Sequence, residues 1–280
     1  MGLWLIAIIL WVGGVCRGWC QATITADSTG YYQNFNRLGN KNGVTYWLDQ
    51  SQFPGWYLDF RWYKWGYLCE RQDEYIASDG SYIWWKNYQG AIYSYGENQD
   101  TDRALGSYTP RVLGYNSTPA TGILRLQLKN SGTTSIKRIE ISYQGELWHY
   151  GGAQNDQLTF SFGILQNGQT NFVAIPELSY SPQQYPTSTG ATDGNTYTTS
   201  VSYSFRVQDL GLGITQIDPN ESFWLKWVDS TVGIEDNGLA IDELHVRAYS
   251  TIPEPSTYAL GISGGLLFLS LLRRFFSPLS

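Results

Sequence analysis

The chain has 280 residues and a net charge of −6, with 42% hydrophobic and 15% charged residues. This composition is typical of a folded chain with a sizeable core and argues against a disordered one. The acidic balance argues against nucleic acid as a partner, because phosphates require a basic face, and favours neutral or cationic partners. Aromatic residues reach 16%, whereas there are only two His and one Met, which is typical of a β-rich exported protein.

The first predicted element is an apolar signal helix. The run from Leu3 to Val15 is followed by Cys20 and Ala22, which occupy the −3 and −1 positions of a small-residue cleavage site. We therefore predict a signal peptide over residues 1–22. No Lys or Arg precedes the run, so an uncleaved anchor remains the alternative. Cleavage would remove two of the three cysteines and leave Cys69 as a free thiol.

An aromatic-rich stretch follows. Residues 31–95 hold six Trp, eleven Tyr and three Phe, more than one core layer could bury, so some rings must be exposed or line a groove. Trp and Tyr faces stack on sugar rings, which favours a glycan-binding platform. The alternative is that these rings pack loops against the sheets. The tryptophans predicted for the platform are Trp47, Trp56, Trp62, Trp84 and Trp85.

Short segments of alternating apolar and polar residues fill the second half of the chain, separated by clusters of Gly, Asn, Asp and Pro. No amphipathic helix interrupts them. We predict an all-β domain over residues 23–250, a two-sheet jelly-roll-like sandwich flanked by the signal helix and a C-terminal hydrophobic helix. The residues predicted to face the core are Leu124, Leu126, Leu128, Ile139, Ile141, Tyr143, Leu158, Phe160, Phe162, Ile164, Tyr197, Thr199, Val201, Tyr203, Phe205, Val207, Phe223, Leu225, Trp227, Leu244, Val246 and Ala248.

Local motifs in this half carry structural predictions. In "YQGELW", Gly145 suits a bulge or tight turn, Glu146 an acceptor for buried donors, and Trp148 the core. Near the last strand, an inward carboxylate of Asp242 or its neighbour would need a cationic partner such as Arg103 or Arg111.

A metal site is the rival interpretation of these carboxylates. Hard cations require several oxygen ligands, and the acidic residues around the last two strands could supply them to calcium, although no EF-hand spacing is present. The calcium candidates are Asp229, Glu235, Asp236 and Asp242. No other cofactor is predicted.

The chain ends in a short apolar span. Tyr258 to Leu272 would span about 22 Å as a helix, short of a bilayer core of about 30 Å unless Arg273 and Arg274 snorkel. The arginines are expected on the cytoplasmic side, so the preceding domain faces outward. Two prolines hold the segment before the span extended. A plain single-span anchor is the alternative.

Residues 251–280, with "PEPSTYAL", a Gly/Leu-rich span and an arginine pair, resemble the PEP-CTERM sorting signal of Gram-negative bacteria. The resemblance implies that a membrane-embedded exosortase recognises Pro253, Glu254 and Pro255, with Arg273 and Arg274 as the membrane stop. It also implies a transient stay in the inner membrane, followed by release to the cell surface or extracellular polysaccharide. The "FFSPLS" after the arginines is longer than the family usually carries.

Residues 30–248 resemble the β-sandwich domain recurrent in PEP-CTERM proteins. Its landmarks occur here as "GAIYSYG", "DRALGS", "YQGELW" and "GLAIDE". The resemblance implies the sandwich fold and assigns no activity.

Two functions remain open from the sequence. The first is an exported, non-enzymatic surface or matrix protein that binds carbohydrate. The second is a secreted glycan-active hydrolase on a sandwich scaffold, for which Glu140 and Glu146 are the conceivable carboxylate pair. No array of catalytic carboxylates, phosphate-binding loop or nucleophile elbow supports the second.

Overall fold

The computed structural model describes residues 21–41, 43–46, 53–64, 67–81, 90–110, 120–166, 168–232 and 236–252. The strands of this part are β1 (Ala22–Ile24), β2 (Tyr31–Gln33), β3 (Gly43–Tyr46), β4 (Trp56–Lys64), β5 (Tyr67–Gln72), β6 (Glu74–Ser78), β7 (Ala91–Tyr95), β8 (Ala104–Tyr108), β9 (Thr121–Asn130), β10 (Arg138–Tyr150), β11 (Leu158–Gln166), β12 (Gln169–Ala174), β13 (Gly190–Ala191), β14 (Thr198–Arg206), β15 (Ser222–Ser230) and β16 (Gly238–Tyr249). The helices are two short 3-10 turns, η1 (Pro176–Leu178) and η2 (Val207–Leu210).

These strands form two sheets. The first sheet has the order β12-β11-β15-β9-β4-β5, and β1 pairs in parallel with the end of β9. The second has the order β13-β10-β16-β8-β7-β6-β3, with β14 on the outer edge of β10 and β2 alongside β16. Nearly all neighbours are antiparallel, whereas β6 and β7 run parallel. The predicted two-sheet sandwich is confirmed.

The period-2 pattern explains how the sheets face each other, because alternate residues of a strand lie on opposite faces. The predicted core positions on β9, β10, β11, β15 and β16 are all buried between the sheets. The exceptions lie on and just before β14, where Tyr203 is 37% exposed and Tyr197 and Thr199 are only half-buried. Because β14 is an edge strand bonded to β10 alone, an inward-facing ring there reaches the open side of the sandwich.

Trp227 of β15 lies at the centre of the core. Its ring stacks on Trp56 at 5.9 Å and receives the edges of Phe160 at 5.1 Å and Tyr143 at 5.8 Å. Trp56 also donates its indole N–H to the hydroxyl of Tyr31 at 2.8 Å. Trp56 is 0% exposed, so its assignment to a glycan platform is wrong. Its position in β4 points it inward.

A second group of rings covers the outer face of the second sheet. Tyr93 and Tyr95 of β7 stack at 5.1 Å, and Tyr95 stacks on Trp148 of β10 at 6.1 Å. We call these three residues the buried aromatic layer, because none is more than 2% exposed. Small residues on the intervening strands, Ala104, Gly106 and Ala240, leave room for them. All four sequence landmarks meet at this layer.

The structure confirms the predictions made for Glu146 and Trp148 in the "YQGELW" motif. Trp148 is buried, and Glu146 accepts its indole N–H at 2.7 Å. Gly145 itself is paired in register with both Thr199 and Ile241, and the irregularity lies just before it, in a register shift between Ser142 and Gln144. Glycine is needed because a Cβ there would lie 2.2 Å from the ring of Tyr180.

Both termini of the chain fall largely outside the described residues. The predicted signal run, the apolar C-terminal span, the Pro253-Glu254-Pro255 motif and the arginine pair all lie there. Among the described residues, no helix combines the length and the apolar character needed to cross a membrane. β1 begins at Ala22, so cleavage after this residue would leave two of the three residues of the strand. Cys69 is half-buried and free.

Candidate functional site

A groove opens between the two sheets at the edge of the sandwich. We call it the edge groove; its volume is 630 Å³ and its lining includes Val173, Ile175, Tyr203, Arg206, Asp209 and Leu210. One side comes from β12 of the first sheet and the other from β14 of the second. Among the described residues, neither strand has a further neighbour in its sheet at this edge.

The chain beyond β14 shapes the rim of the groove. η2 follows directly and ends at Gly211, whose φ of 69° is left-handed and suits glycine. This turn sets Asp209 beside Arg206, with Nε and Oδ2 3.0 Å apart and both side chains about half exposed. Val173 of β12, Ile175 directly after it and Leu210 of η2 contribute apolar surface to the lining.

The edge groove therefore combines a half-exposed aromatic ring, an apolar floor and a charged rim. Sugar rings present C–H faces that stack on Tyr and hydroxyl edges that exchange hydrogen bonds with planar guanidinium and carboxylate groups. Small-molecule sites commonly have such a volume and such a mixture of groups. The groove suits an amphipathic ligand of the size of an oligosaccharide.

The tryptophans predicted for the platform do not form one among the described residues. Trp62 is half-buried, packs near Phe60 at 6.0 Å and carries the guanidinium of Arg71 over its ring at 5.0 Å. Trp47, Trp84 and Trp85 lie outside the described residues. Exposed rings do occur in the aromatic-rich stretch, as predicted, but they are tyrosines: Tyr67 is 76% exposed and Tyr32 48%.

The outer face of the first sheet carries further half-buried rings. Tyr57 and Trp224 lie 5.2 Å apart, with the guanidinium of Arg125 6.0 Å and 5.9 Å from their centroids. The ammonium of Lys226 lies 3.8 Å from the ring of Phe172. We call these three aromatic residues the cation-capped rings. Because cations of the chain already contact them, they are less suited to stacking on a sugar than Tyr203.

Two of the four calcium candidates come together in the interior. Asp229 and Asp236 lie with Asp156, one carboxylate oxygen from each falling within 4.8 Å of the others, and all three side chains are 0% exposed. We call these three residues the acidic cluster. Asp242 lies apart from it, and Glu235 is outside the described residues.

Neutral donors hold the outer oxygens of the acidic cluster. Ser107 donates its hydroxyl to Asp229 Oδ2 at 2.6 Å, and the backbone N–H of Thr109 bonds Asp236 Oδ2 at 2.9 Å. The backbone N–H of Asn237 donates to Asp156 Oδ2 at 3.1 Å. The Oδ1 atoms of Asp156 and Asp236 are buried and accept no hydrogen bond from the part of the chain that the structure describes.

Burial dominates the electrostatics of this cluster. It raises the pKa of Asp156 to about 6. Burial together with the charge of Asp156 raises the pKa of Asp236 to about 8 and that of Asp229 well above its usual value. The carboxylates therefore compete for protons in the absence of a cation.

The sequence contained a signal for only part of this cluster. Asp229 continues the inward series Phe223, Leu225 and Trp227 of β15, so the period-2 pattern already marked it as buried. Asp156 belongs to the connection between β10 and β11, far away in the chain, and no spacing rule links it to the others.

Asp242 and Glu146 form a separate buried carboxylate pair on the outer side of the second sheet. Burial raises the pKa of Glu146 to about 7, and burial together with the charge of Glu146 raises that of Asp242 to about 9. The predicted pairing with Arg103 is wrong, because its guanidinium donates to Ser94 Oγ at 3.0 Å and to the carbonyl of Glu97 at 2.9 Å. Arg111 lies outside the described residues.

The carboxylate pair considered for glycoside hydrolysis is also separated. Glu140 and Glu146 lie on the same face of β10, six residues apart. At about 3.4 Å per residue they are about 20 Å apart, whereas glycosidase carboxylates are about 5 to 9.5 Å apart. Glu140 instead accepts from the hydroxyl of Tyr249 at 3.2 Å.

Comparisons with known proteins give only structural likenesses. No family model matches the chain, and no curated protein matches it. One similar structure is the CBM22-1 xylan-binding domain of Paenibacillus barcinonensis Xyn10C, at 11% identity and a TM-score of 0.34, covering 81% of this chain and 99% of that one.

Two further likenesses are of the same order. A carbohydrate-binding module specific for non-crystalline cellulose, CBM28, has 14% identity and a TM-score of 0.30, covering 62% of this chain and 92% of that one. The family 11 carbohydrate-binding module from Clostridium thermocellum, in complex with a mixed-linked tetrasaccharide, has 7% identity and a TM-score of 0.31 over 61% and 94%. Likenesses at this level carry no inference about a ligand of this chain.

Proposed function

We propose that this chain is an exported, non-catalytic protein that binds a neutral polysaccharide in the edge groove. The observation that carries the proposal is the partly exposed Tyr203 in the lining of a 630 Å³ groove that also contains apolar residues and the Arg206–Asp209 ion pair. A stacking ring with flanking hydrogen-bonding groups is the arrangement that recognises sugars. The net charge of −6 disfavours an acidic polysaccharide.

The second part of the proposal concerns the export and sorting of the protein. Residues 1–22 act as an export signal, and exosortase recognises the Pro253-Glu254-Pro255 motif while the tail is held in the inner membrane. Processing then releases the sandwich to the cell surface or the extracellular matrix, where exopolysaccharide is the expected partner. The support is the sequence of the two termini. Ile252, the residue before the motif, lines the edge groove.

Binding of neutral polysaccharides by the purified exported protein tests the first part. We expect Tyr203→Ala to weaken binding at least about tenfold, as the loss of a stacked ring does. Trp224→Ala is the matched control on the outer face of the first sheet and should keep the wild-type affinity. Equal affinity of wild type and Tyr203→Ala would remove the edge groove from consideration. Release of reducing ends by the wild type would instead support the hydrolase.

A triple substitution tests the sorting step. Replacing Pro253, Glu254 and Pro255 with Ala leaves the apolar span and both arginines intact, so the energetics of membrane insertion change little. In a host with a matching exosortase, we expect this variant to stay in the inner membrane at full length while the wild type is shortened and moves outward. Fractionation with antibodies to the sandwich and to a C-terminal epitope measures both. Identical size and location would leave a plain membrane anchor.

A further inference from the structure

Burial of three carboxylates at one point demands compensation. Asp156, Asp229 and Asp236 are 0% exposed, and the ion pairs found among the described residues involve none of them. An uncompensated buried carboxylate costs several kcal/mol. Because no Lys or Arg of the described residues pairs with it, the cluster requires neutralisation by protons or by a cation from outside these residues.

The hydrogen bonds around the cluster are compatible with ionised carboxylates that bind a cation. The donors include the hydroxyls of Ser107 and Thr109 and the backbone N–H groups of Thr109 and Asn237. The backbone N–H groups of Gln157 and Val232 also interact with Asp156 and Asp236. Donors at these places stabilise ionised carboxylates and fix their orientation, as the outer partners of metal ligands do. Oδ1 of Asp156 and Oδ1 of Asp236 are buried and accept no hydrogen bond from a donor among the described residues, and the two carboxyl groups interact with each other.

Thr109 adds a second argument. Its Oγ1 lies 2.5 Å from Asp236 Oδ2 and 3.2 Å from Asp229 Oδ1, but a hydroxyl has only one proton to donate. The second oxygen therefore needs a proton of its own, which it would donate to Oγ1, or a bound cation. The same two possibilities apply to the two Oδ1 atoms, which accept no hydrogen bond from a donor among the described residues.

We propose that the acidic cluster binds one Ca²⁺. The ligand set contains only oxygen, which suits a hard cation and not zinc or copper. Two oxygens on opposite sides of a Ca²⁺, each about 2.4 Å from the ion, are about 4.8 Å apart, and the cluster oxygens fall within 4.8 Å of one another. Mg²⁺ holds its ligands at about 2.1 Å and keeps several waters, for which a fully buried cluster is poorly suited.

Such an ion would join three connections at one end of the sandwich. Thr109 follows β8, Asp156 lies between β10 and β11, and Asp236 lies between β15 and β16. The role of the site is therefore structural: it fixes the ends of strands from both sheets. It does not depend on the edge groove, which is lined by other residues.

Thermal unfolding of the full-length exported protein at pH 7 tests the site. After treatment with chelator and desalting, we expect Ca²⁺ at about 100 times its Kd to raise the Tm by about 5 °C or more, because a ligand that binds only the folded state stabilises it. Mg²⁺ at the same concentration should raise the Tm much less. Elemental analysis before chelation should find about one calcium per chain.

Two Asn variants separate a cation from protons. Asn is a neutral isostere of a protonated Asp, so Asp156→Asn replaces an anionic calcium ligand by a weaker, neutral amide oxygen and mimics the proton-neutralised cluster. We expect it to reduce the calcium-dependent rise in Tm strongly. Asp242→Asn is the matched control, because Asp242 is also buried with an unpartnered Oδ1 but lies outside the cluster; it should keep the full rise.

The opposite results overturn the proposal. No response of the wild type to Ca²⁺, with no calcium in the purified protein, would leave protons as the neutralising species. An equal response in wild type and Asp156→Asn would place the ion elsewhere. If Asp156→Asn does not fold, terbium luminescence of the wild type decides, since Tb³⁺ takes the same oxygen ligands and is excited by nearby aromatic rings. Absence of Ca²⁺-displaceable luminescence would then exclude the site.

Discussion

The outer faces of the two sheets both carry aromatic rings, but the rings differ in burial. In the second sheet, Tyr93, Tyr95 and Trp148 form the buried aromatic layer, at most 2% exposed. In the first sheet, the cation-capped rings remain half-buried. The residues beside the rings account for the difference, because Ala and Gly on neighbouring strands let rings lie against the sheet, whereas Arg125 and Lys226 approach rings from the solvent side.

An aromatic-rich stretch therefore does not predict an exposed platform by itself. A ring buries about 150–250 Å² wherever its neighbours are small enough to let it settle, and burial is then the stable state. The neighbours that decide this come from distant strands: Trp148 of β10 stacks on Tyr95 of β7. The contrast between the two faces can be tested by substitutions of matched residues.

The largest expected effect comes from truncating one tryptophan on each face. Trp148→Ala removes a buried ring together with the donor of Glu146, and should lower the free energy of unfolding by about 3–5 kcal/mol. Trp224→Ala removes a half-buried ring and should cost about 1 kcal/mol. Urea denaturation of both variants measures the difference. Equal losses would show that the two faces are not distinct in stability.

The second prediction concerns the carboxylate beneath the aromatic layer. Burial raises the folded-state pKa of Glu146 to about 7, above its usual 4.5, so the folded state holds its proton longer than the unfolded state. The stability linked to this group is full below pH 4.5 and is lost as the pH rises through 7. We expect the wild type to be less stable at pH 8 than at pH 5.

Glu146→Gln isolates this contribution, because Gln keeps an acceptor for Trp148 but does not ionise. The decline in stability between pH 5 and pH 8 should be smaller in this variant by about 1–3 kcal/mol. Asp242→Asn should also reduce the loss of stability with rising pH, over a range that extends to about pH 9 because the pKa of Asp242 is raised to about 9. If both variants lose stability with rising pH as steeply as the wild type, solvent reaches both carboxylates.

The sequence predicted the sheets better than the sites. Leu124, Leu126 and Leu128 alternate because β9 lies inside a sheet with one face on the core, and such a pattern can be read locally. Tyr203 follows the same pattern but lies on an edge strand, which only the strand order reveals. Asp156 joins its cluster through pairing of distant segments, so local patterns carry no trace of it.

The third prediction compares one glycine from each outer face. A Cβ on Gly106 would lie 2.1 Å from the carbonyl oxygen of Leu239, which belongs to the backbone of a central strand. A Cβ on Gly163 would instead meet the ring of Phe172 at 2.6 Å, on the edge strand β12. Backbone in the middle of a sheet cannot move aside, whereas an edge side chain can rotate.

We therefore expect Gly106→Ala to lower the free energy of unfolding by about 1–3 kcal/mol and Gly163→Ala by less than about 1 kcal/mol. Chemical denaturation at a single pH is sufficient, since neither change affects charge. A larger loss for Gly163→Ala would mean that Phe172 is held as rigidly as the buried aromatic layer, contrary to the proposed contrast.

The smallest expected effect concerns the cation above Phe172. Lys226→Met keeps the length and apolar contact of the side chain and removes only the charge, which lies 3.8 Å from the ring centroid. Loss of this cation–π contact should cost about 0.5–1 kcal/mol. Part of this lost stability should be offset by removal of the charge, because burial and then the charge of Arg125 lower the pKa of Lys226 and disfavour the ammonium at this position.

We expect the free energy of unfolding to fall by less than about 1 kcal/mol in total, and a double-mutant cycle with Phe172→Leu should give a coupling energy of the same size. A loss above about 2 kcal/mol would mean that the charge is integral to the packing of this face, and the first sheet would then depend on its outer rings as much as the second.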